Sequence, residues 1–402
     1  MAFLLASILL TACATTSTGS SRLDSHGTQT DDHSSAISQY TLPPPARTYG
    51  TQEPAQLSDA EAAVWQMATH ILSGGCTLDG ALVRAARKHA QDVTDNPLAM
   101  EENGIDYLRF ALRYFGSPDY LISTAVFELD DNNSSLMQVL GSAHDDWTHC
   151  GIGVIEAVGK RQAVFMAATR VMSLNAIPVQ PRPGKQIDIR GKLITEGATR
   201  VDAFLEHPDG SVQQLKSFAV GLTQFQISVP IKAVGRYKLE LQVTRRSGPE
   251  TVLLVPLFAG VDVESRPSVF PGGHTAVKNP EALMTQLINR IRRHLGLAVL
   301  KRDKRLDNVA QRHCEEMVLS STFGHFSRLT GALDNRLRAN GVYPRLFAEN
   351  IAQSNSMMRV HHNLMQSPSH KIKLLHPEYT HLGLGIVTRN GMTTVTQIFA
   401  AW

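Results

Sequence analysis

The sequence predicts a mixed α/β chain in which two α/β segments flank an all-β segment. Three observations support this fold class. Near the C-terminus, apolar residues recur at helical spacing, as at Leu283, Leu287, Ile291 and Leu295. Across the middle of the chain they alternate with a period of two, which is typical of strands with one buried face. A ten-residue segment near the C-terminus is also matched by an earlier one, which indicates an internal repeat.

Length and charge set broad limits on the protein. The chain has 402 residues, so we expect two to four domains, each able to bury a core. Its formal net charge is +3, and no basic cluster coincides with a nucleic-acid-binding motif. Nucleic acid is therefore not expected as a structural partner.

The first thirteen residues read MAFLLASILLTAC, with an apolar run too short to span a bilayer. They resemble a signal peptide, and the residues before Cys13 resemble the bacterial lipobox. This resemblance implies that Cys13 is lipidated and anchors the chain to a membrane. Residue Ala14, which follows the cysteine, is not Asp. By resemblance to the sorting rule of enteric bacteria, this implies the outer membrane of the cell envelope. The alternative is a buried N-terminal segment in which Cys13 is incidental.

Residues 14–57 are predicted to form a flexible tether. They are rich in Ser, Thr, Asp and Pro and poor in large apolar residues, so burial cannot offset their ordering entropy. The run of three prolines at 43–45 stiffens the end of this tether.

The first α/β segment, residues 58–172, begins with capping-box spacing at Ser58 and Glu61, which predicts a helix start. Its residues 144–153 (HDDWTHCGIG) align without a gap with 376–385 (HPEYTHLGLG), at an offset of 232. Residues 85–93 match 309–317 at an offset of 224. The sequence therefore indicates a repeated fold, and the alternative is a chance similarity between unrelated α/β domains.

The middle segment, residues 184–265, predicts an antiparallel β-sandwich of immunoglobulin-like architecture. Apolar residues alternate through several short runs, and the Pro208–Gly210 turn separates two of them. Phe218 is expected in its core. Proline-containing linkers at 173–183 and 266–278 flank it. Nothing in it suggests catalysis, so its expected role is spacing or binding.

The C-terminal segment, residues 279–402, carries the chemistry. Pro280 follows Asn279 and predicts the start of its first helix. His325, Glu349 and His370 lie in the motifs FGHFS, FAENI and SPSH. Ser and Pro before His370 predict a helix N-cap, which would hold this imidazole in a first helical turn.

These three motifs, with LINRIRRHLGLAVLKRDKRLDNVAQRHCEEM, THLGLG and VTQIFAAW, resemble the bacterial form of the CAP superfamily, the cysteine-rich secretory, antigen-5 and pathogenesis-related (SCP-domain) proteins. The resemblance implies an α-β-α sandwich whose cleft holds two histidines and one or two acids. His325, Glu349 and His370 match three of these positions. The fourth, a Glu on the helix at 358–365, has no match, although His361 or His362 could replace it.

Through the repeat, residues 58–172 are expected to form a second, degenerate CAP-like fold. At the two offsets, His325 falls on Glu101 and His370 on Gln138, and no A-E-N motif occurs at 117–130. The polar groups of the cleft are absent while the fold positions remain. The sequence thus predicts a structural or interaction unit.

The remaining cysteines are Cys76, Cys150 and Cys314. Cys76 and Cys150 lie in the same predicted unit, so a disulfide can form in an oxidising envelope, and the pairing stays open at this point. Cys314 lies in an apolar helical stretch beside His313, and a buried free thiol is expected there. His313 itself is expected to be structural.

Three functions remain open for the cleft. His325 and His370 could hold a divalent metal such as zinc. Glu349 could then be a third ligand, a group that orients a water molecule beside the metal, or a general base. That arrangement predicts a metal-assisted hydrolase, a peptidase or nuclease. The same residues could instead bind a lipid, glycan, peptide or partner protein, or they could only stabilise the fold. Because the chain is tethered and one unit lacks the site, the sequence favours a surface binding and adaptor module.

Overall fold

The computed structural model describes residues 42–402 except 52–53, 73–74, 130–135, 138–139, 141–145, 158–159, 271 and 273–277. The predicted signal peptide with Cys13, the tether up to residue 41 and Gln138 lie outside the described residues.

The N-terminal unit consists of three layers. Its elements are β1 (Thr48–Tyr49), α1 (Asp59–Ile71), β2 (Thr77–Leu78), α2 (Gly80–Asp95), α3 (Pro97–Tyr114), β3 (Ile122–Glu128), β4 (His149–Ala157) and β5 (Lys160–Ala168). The sheet has the order β2-β4-β5-β3. Helices α2 and α3 pack on one face of it, and α1 packs on the other. The capping box predicted at Ser58 and Glu61 is present.

The middle unit consists of two antiparallel sheets around one core. Its strands are β6 (Met172–Leu174), β7 (Ile177–Pro178), β8 (Lys185–Leu193), β9 (Arg200–Glu206), β10 (Val212–Leu215), β11 (Ser217–Val220), β12 (Gln224–Ile231), β13 (Gly235–Arg245) and β14 (Gly248–Ala259). The sheet orders are β11-β12-β8-β6 and β10-β9-β13-β14. Gly210 has φ 81° in the predicted turn. Phe218 is 59% exposed on edge strand β11, so placing it in the core was wrong.

The C-terminal unit repeats the three-layer plan. Its elements are α4 (Pro280–His294), β15 (Lys301–Arg302), α5 (Lys304–Ser320), α6 (Leu333–Ala339), β16 (Leu346–Ser354), α7 (Met357–Gln366), α8 (Pro368–Leu374), β17 (His381–Arg389) and β18 (Met392–Ala401). The sheet has the order β15-β17-β18-β16. Helices α4 and α7 pack on one face, and α5 and α6 pack on the other.

The two sheets match strand for strand. In each, the first pair is parallel and the other pairs are antiparallel. Thr77 is paired with His149, and Lys301 is paired with His381, so the partners are displaced by the same 224 and 232 residues that the sequence shows. A chance similarity between unrelated folds does not give this agreement, and the repeat is therefore structural.

The shared T-H-x-G-x-G motif is a packing motif. A Cβ on Gly153 would overlap the backbone at Ala86–Arg87 of α2, and one on Gly385 would overlap the backbone at Ala310–Gln311 of α5. Both glycines let the second strand of the sheet lie directly against the helix. This close approach accounts for the conservation of the motif within the chain while the polar residues differ.

The predicted tether and first linker are shorter than expected. Tyr49 is 1% exposed, and its hydroxyl donates to the Pro256 carbonyl at 2.9 Å. Strand β1 pairs with β7, which lies inside the expected 173–183 linker. A two-residue strand leaves no periodicity in the sequence, so composition alone could not identify it.

Cysteine pairing is resolved by the structure. Cys76 and Cys150 form a disulfide with their Cα atoms 5.8 Å apart, whereas Cys314 is free and buried, as expected. None of the helices in the described ranges has the length and apolar character needed to span a membrane.

Candidate functional site

The cleft is built around Glu349, which lies in β16 and is 5% exposed. Its Oε1 atom is 2.9 Å from Nδ1 of His325, on the loop between α5 and α6. An ionised carboxylate only accepts hydrogen bonds, so Nδ1 of His325 is the donor. The opposite nitrogen, Nε2, is then the imidazole atom that remains to meet a ligand.

Arg336 of α6 completes this centre, and the sequence analysis missed it. Its guanidinium donates to both carboxylate oxygens of Glu349, at 2.9 and 3.0 Å, and to the His325 carbonyl at 3.0 Å. Arg336 is 3% exposed. A bidentate buried pair of this kind fixes the carboxylate in one orientation. An arginine on a short helix carries no local signal for this role.

The electrostatics keep Glu349 ionised. Burial by itself would raise the pKa of this carboxyl, but the hydrogen bond from His325 and the charge of Arg336 outweigh it and lower the pKa to about 2. A carboxylate with so low a pKa is a poor proton acceptor near neutral pH. Glu349 is thus held as an ionised carboxylate whose two oxygens are already paired with Arg336.

His370 lies in the first turn of α8, where Ser367 caps the helix as predicted. Burial lowers the pKa of its imidazole well below the usual value, and the charges of Lys373 and His325 lower it further. His370 is therefore neutral at pH 7. The side-chain amide of Asn350, the residue after Glu349 in β16, donates to the His370 carbonyl at 3.2 Å, so His370 lies beside the strand that carries Glu349.

Lys373 adds a second cation that the sequence did not reveal. Its Nζ donates to the backbone carbonyl of Glu349 at 3.1 Å, one turn after His370 on α8. Burial lowers its pKa, whereas the carboxylates of Glu240 and Glu349 act in the opposite direction. The cleft thus combines one buried carboxylate with two cationic side chains and two imidazoles.

His313 lies beneath the cleft and is 1% exposed. Its Nε2 is 3.0 Å from the Gly324 carbonyl and 4.0 Å from Oε1 of Glu349. The contact with Gly324 holds the loop that carries His325. His313 therefore supports the site, in keeping with its expected structural role.

Two histidines of α7, His361 and His362, are the expected candidates to replace the missing acid. The ring of His362 lies 4.9 Å from that of Phe270, away from the cleft. His361 is 8% exposed, and the groups that shift its pKa after burial are His362 and Arg290.

The middle unit borders the cleft on two sides. Glu240 of β13 is fully buried and accepts hydrogen bonds from the Ser367 hydroxyl and from the Ser369 amide, the latter at 2.7 Å. The turn between β13 and β14 packs on the His325 loop, where the Ser247 carbonyl accepts a hydrogen bond from the Phe326 amide at 3.0 Å. The SPSH motif thus holds this unit as well as His370.

A metal site with three protein ligands does not fit these residues. Both Glu349 oxygens are bound to Arg336, so Glu349 is not free to be a ligand. In the part of the chain that the structure describes, no three His, Cys, Asp or Glu side chains are grouped to hold a metal ion. What remains is a pair of imidazoles, His325 and His370, with Glu349 orienting the first of them.

The N-terminal unit has lost this centre as a set. Thr124 is paired with Met166 in the sheet as Glu349 is paired with Ile398, so Thr124 occupies the Glu349 position. The ends of helices α3 and α6 match at the same displacement of 225 residues. The Ser117 amide donates to the Leu112 carbonyl as the Val342 amide donates to the Leu337 carbonyl, so Ala111 occupies the Arg336 position. Glu101, which the sequence offset of 224 residues sets against His325, is exposed on helix α3, whereas His325 lies on a loop. Both members of the buried ion pair are thus replaced together.

A four-stranded sheet between two helical layers, with two imidazoles and an ion-paired glutamate in its cleft, defines a protein of the CAP class. Residues 285–399 match the family model described as CAP, the cysteine-rich secretory protein family. Residues 285–399 of the C-terminal unit are therefore a domain of the CAP superfamily.

Two curated relatives are from Bacillus subtilis. The chain is 35% identical over 108 residues to the uncharacterized membrane protein YlbC, covering 26% of this chain and 31% of that protein. It is 27% identical over 121 residues to the uncharacterized protein YkwD, covering 30% of this chain and 47% of that one. The chain therefore spans less than half the length of these relatives.

Two solved structures are also similar. An extracellular protein containing an SCP domain from Bacillus anthracis is 19% identical, with 54% of this chain and 82% of that chain covered and a TM-score of 0.29. An outer surface protein from Borrelia burgdorferi is 21% identical, with 32% and 96% covered and a TM-score of 0.30.

Proposed function

We propose that the chain is an extracytoplasmic binding and adaptor protein whose C-terminal cleft takes a lipid, glycan or peptide ligand at His325 and His370. One observation carries the proposal: Glu349 is held by Arg336 and in turn holds Nδ1 of His325. The cleft therefore offers an oriented imidazole beside the neutral imidazole of His370. These groups suit recognition, because the carboxylate is already paired.

A divalent metal such as zinc, held by His325 and His370, belongs to this proposal. Neutral imidazoles are good zinc ligands, and a carboxylate behind one of them raises its basicity. The hydrolase alternative needs a base that works near neutral pH, and the ion pair with Arg336 removes Glu349 from that role.

We place the protein in the cell envelope, anchored at the outer membrane through a lipid on Cys13. The lipobox-like sequence supports the anchor, and the Cys76–Cys150 disulfide suits an oxidising compartment. The degenerate N-terminal unit and an immunoglobulin-like middle unit would then space or orient the cleft. We expect Cys13→Ser to move the protein from the membrane fraction to the soluble fraction, and unchanged fractionation would contradict the anchor.

Calorimetric titration of the full chain with zinc tests the cleft. We expect saturable one-site binding that the His325→Ala/His370→Ala double variant loses. The matched control is His70→Ala/His294→Ala, which removes two exposed histidines and is expected to bind like the wild type. Absence of binding, or equal loss in both double variants, would contradict a metal at the cleft histidines.

A further inference from the structure

A cavity of about 120 Å³ lies where the three units meet. Helix α3 of the N-terminal unit contributes Arg109 and Arg113 to its wall, and strand β13 of the middle unit contributes Arg236 and Lys238. Helix α7 of the C-terminal unit contributes Asn363. We call this space the junction cavity. It is separate from the cleft of His325, Glu349 and His370, none of which lines it.

The walls of the junction cavity carry more positive than negative charge. Its cationic side chains are Arg109, Arg113, Arg236 and Lys238, and its carboxylates are Asp106 and Glu264. Four cations thus face two carboxylates, which leaves a formal surplus of two positive charges.

Existing ion pairs account for both carboxylates. Asp106 is bound to Arg359 at 2.7 Å, and Glu264 is bound to Arg236 at 3.2 Å. Lys238 has its own partner in Glu206, at 3.1 Å. Among the described residues, neither Arg109 nor Arg113 has a carboxylate within ion-pair distance. The Arg109 guanidinium lies over the Tyr120 ring, 5.6 Å from its centroid.

The two unpaired arginines are neighbours in space. Arg109 and Arg113 are four residues apart on α3, so they lie on the same face of the helix, where like charges repel. Burial, together with the charge of Arg109, lowers the pKa of Arg113 to about 10, so the Arg113 guanidinium keeps its charge at pH 7. Two charged groups on one cavity wall are unfavourable unless an anion neutralises them.

Two further features suit a small polar ligand. Oδ1 of Asn363 is buried and has no hydrogen-bond partner in the described structure, so this oxygen can accept a hydrogen bond from a hydroxyl group of a ligand. The cavity volume is below the roughly 300–1,000 Å³ typical of pockets for drug-sized molecules. The volume therefore suits a head group rather than a whole cofactor.

We propose that the junction cavity is a binding site for a phosphate group, free or as the head group of a lipid, held by Arg109 and Arg113 with Asn363. Guanidinium groups bind phosphate through paired N–H donors, which is why arginine predominates in such sites. The ligand would touch all three units, and its binding would stabilise their association.

The test is calorimetric titration of the full chain with inorganic phosphate at fixed ionic strength. A second arm is flotation with phosphatidylglycerol vesicles or with phosphatidylcholine vesicles, using Cys13→Ser protein to remove the anchor. We expect the Arg109→Gln/Arg113→Gln variant to bind at least tenfold more weakly. Lys185→Gln/Arg190→Gln removes the same charge from exposed positions of β8 and is expected to bind like the wild type.

Saturable binding of inorganic phosphate that only the Arg109/Arg113 variant loses would support a site for the free anion. Binding to phosphatidylglycerol vesicles alone, with the same variant dependence, would support a lipid head group. The proposal is overturned if neither probe binds, if both vesicle types bind equally, or if the two double variants bind alike. Circular dichroism of each variant confirms that a loss of binding is not a loss of fold.

Discussion

At the scale of single residues, the chemistry of the cleft depends on a carboxylate that is already paired. Glu349 accepts hydrogen bonds from Arg336 and His325, and the three side chains are carried by β16, by α6 and by the loop between α5 and α6. Removing one partner of a buried pair leaves the other charge without compensation. The stability of the unit and the orientation of His325 therefore depend on the same contacts.

We predict that Arg336→Gln lowers the free energy of unfolding by about 3–5 kcal/mol, because it leaves a buried charge unpaired. Denaturant unfolding of the wild type and of this variant measures the loss. The control is Arg338→Gln on the same helix, whose side chain is 67% exposed and whose loss should cost at most about 0.5 kcal/mol. Equal costs for the two substitutions would contradict the account.

We predict that His361 makes stability depend on pH. Burial lowers its pKa to about 4 from an ordinary 6.5, so the unfolded chain binds a proton that the folded chain rejects. The contribution of neutral His361 to the free energy of unfolding is complete above pH 6.5, and it is lost as the pH falls toward 4. Between pH 7.5 and 5 the loss is about 2 kcal/mol.

Denaturant unfolding of wild type and His361→Gln at both pH values checks this, with exposed His294→Gln as the control. The His361 variant should lose less stability on acidification than the other two proteins. An identical pH dependence in all three would show that His361 does not titrate in this range.

At the scale of elements, the repeated glycines set the distance between helix and strand. Gly385 lies against α5 with no room for a Cβ. We predict that Gly385→Ala lowers the free energy of unfolding of the C-terminal unit by about 1–3 kcal/mol, because the added methyl group forces the strand off the helix. Thermal unfolding measures the loss.

Gly104→Ala on α3 is the matched control, because its Cβ would meet the Met100 side chain at an ordinary 3.5 Å. Alanine is also the better helix former, so this variant should be as stable as the wild type or slightly more stable. A Gly385 variant with wild-type stability would contradict the packing role of the motif.

The sequence predicted those elements whose signals are local. The capping box at Ser58, the helix starts at Pro280 and Pro368, and the two repeat offsets all appear in the structure. Each depends on residues a few positions apart or on direct similarity between segments. Strand β1 could not be predicted, because two residues give no periodicity.

At the scale of the whole molecule, the contacts that the sequence could not predict join residues far apart in the chain. Glu240 lies 129 residues before its partner Ser369, and Asp106 lies 253 residues before Arg359. Such contacts depend on how the units dock, which no local pattern encodes. Of the site, the sequence found His325, Glu349 and His370 and missed Arg336, Lys373 and Glu240 for this reason.

We predict that Glu240→Gln loosens the middle unit from α8. The neutral amide cannot accept all the hydrogen bonds that the carboxylate takes from Ser367 and Ser369. The Ser369 amide should exchange with solvent deuterium at least tenfold faster, with the exposed substitution Glu196→Gln as the control. Unchanged exchange in the Glu240 variant would show that this carboxylate does not hold the interface.

The central claim is that the C-terminal cleft offers His325 and His370 as its ligand-binding pair. The most direct measurement is the NMR spectrum of the imidazole nitrogens of the full chain, which has 16 histidines, with and without one equivalent of zinc. We predict shifts confined to His325 and His370, with Nδ1 of His325 keeping its proton toward Glu349. Shifts at other histidines, or at none, would contradict the claim.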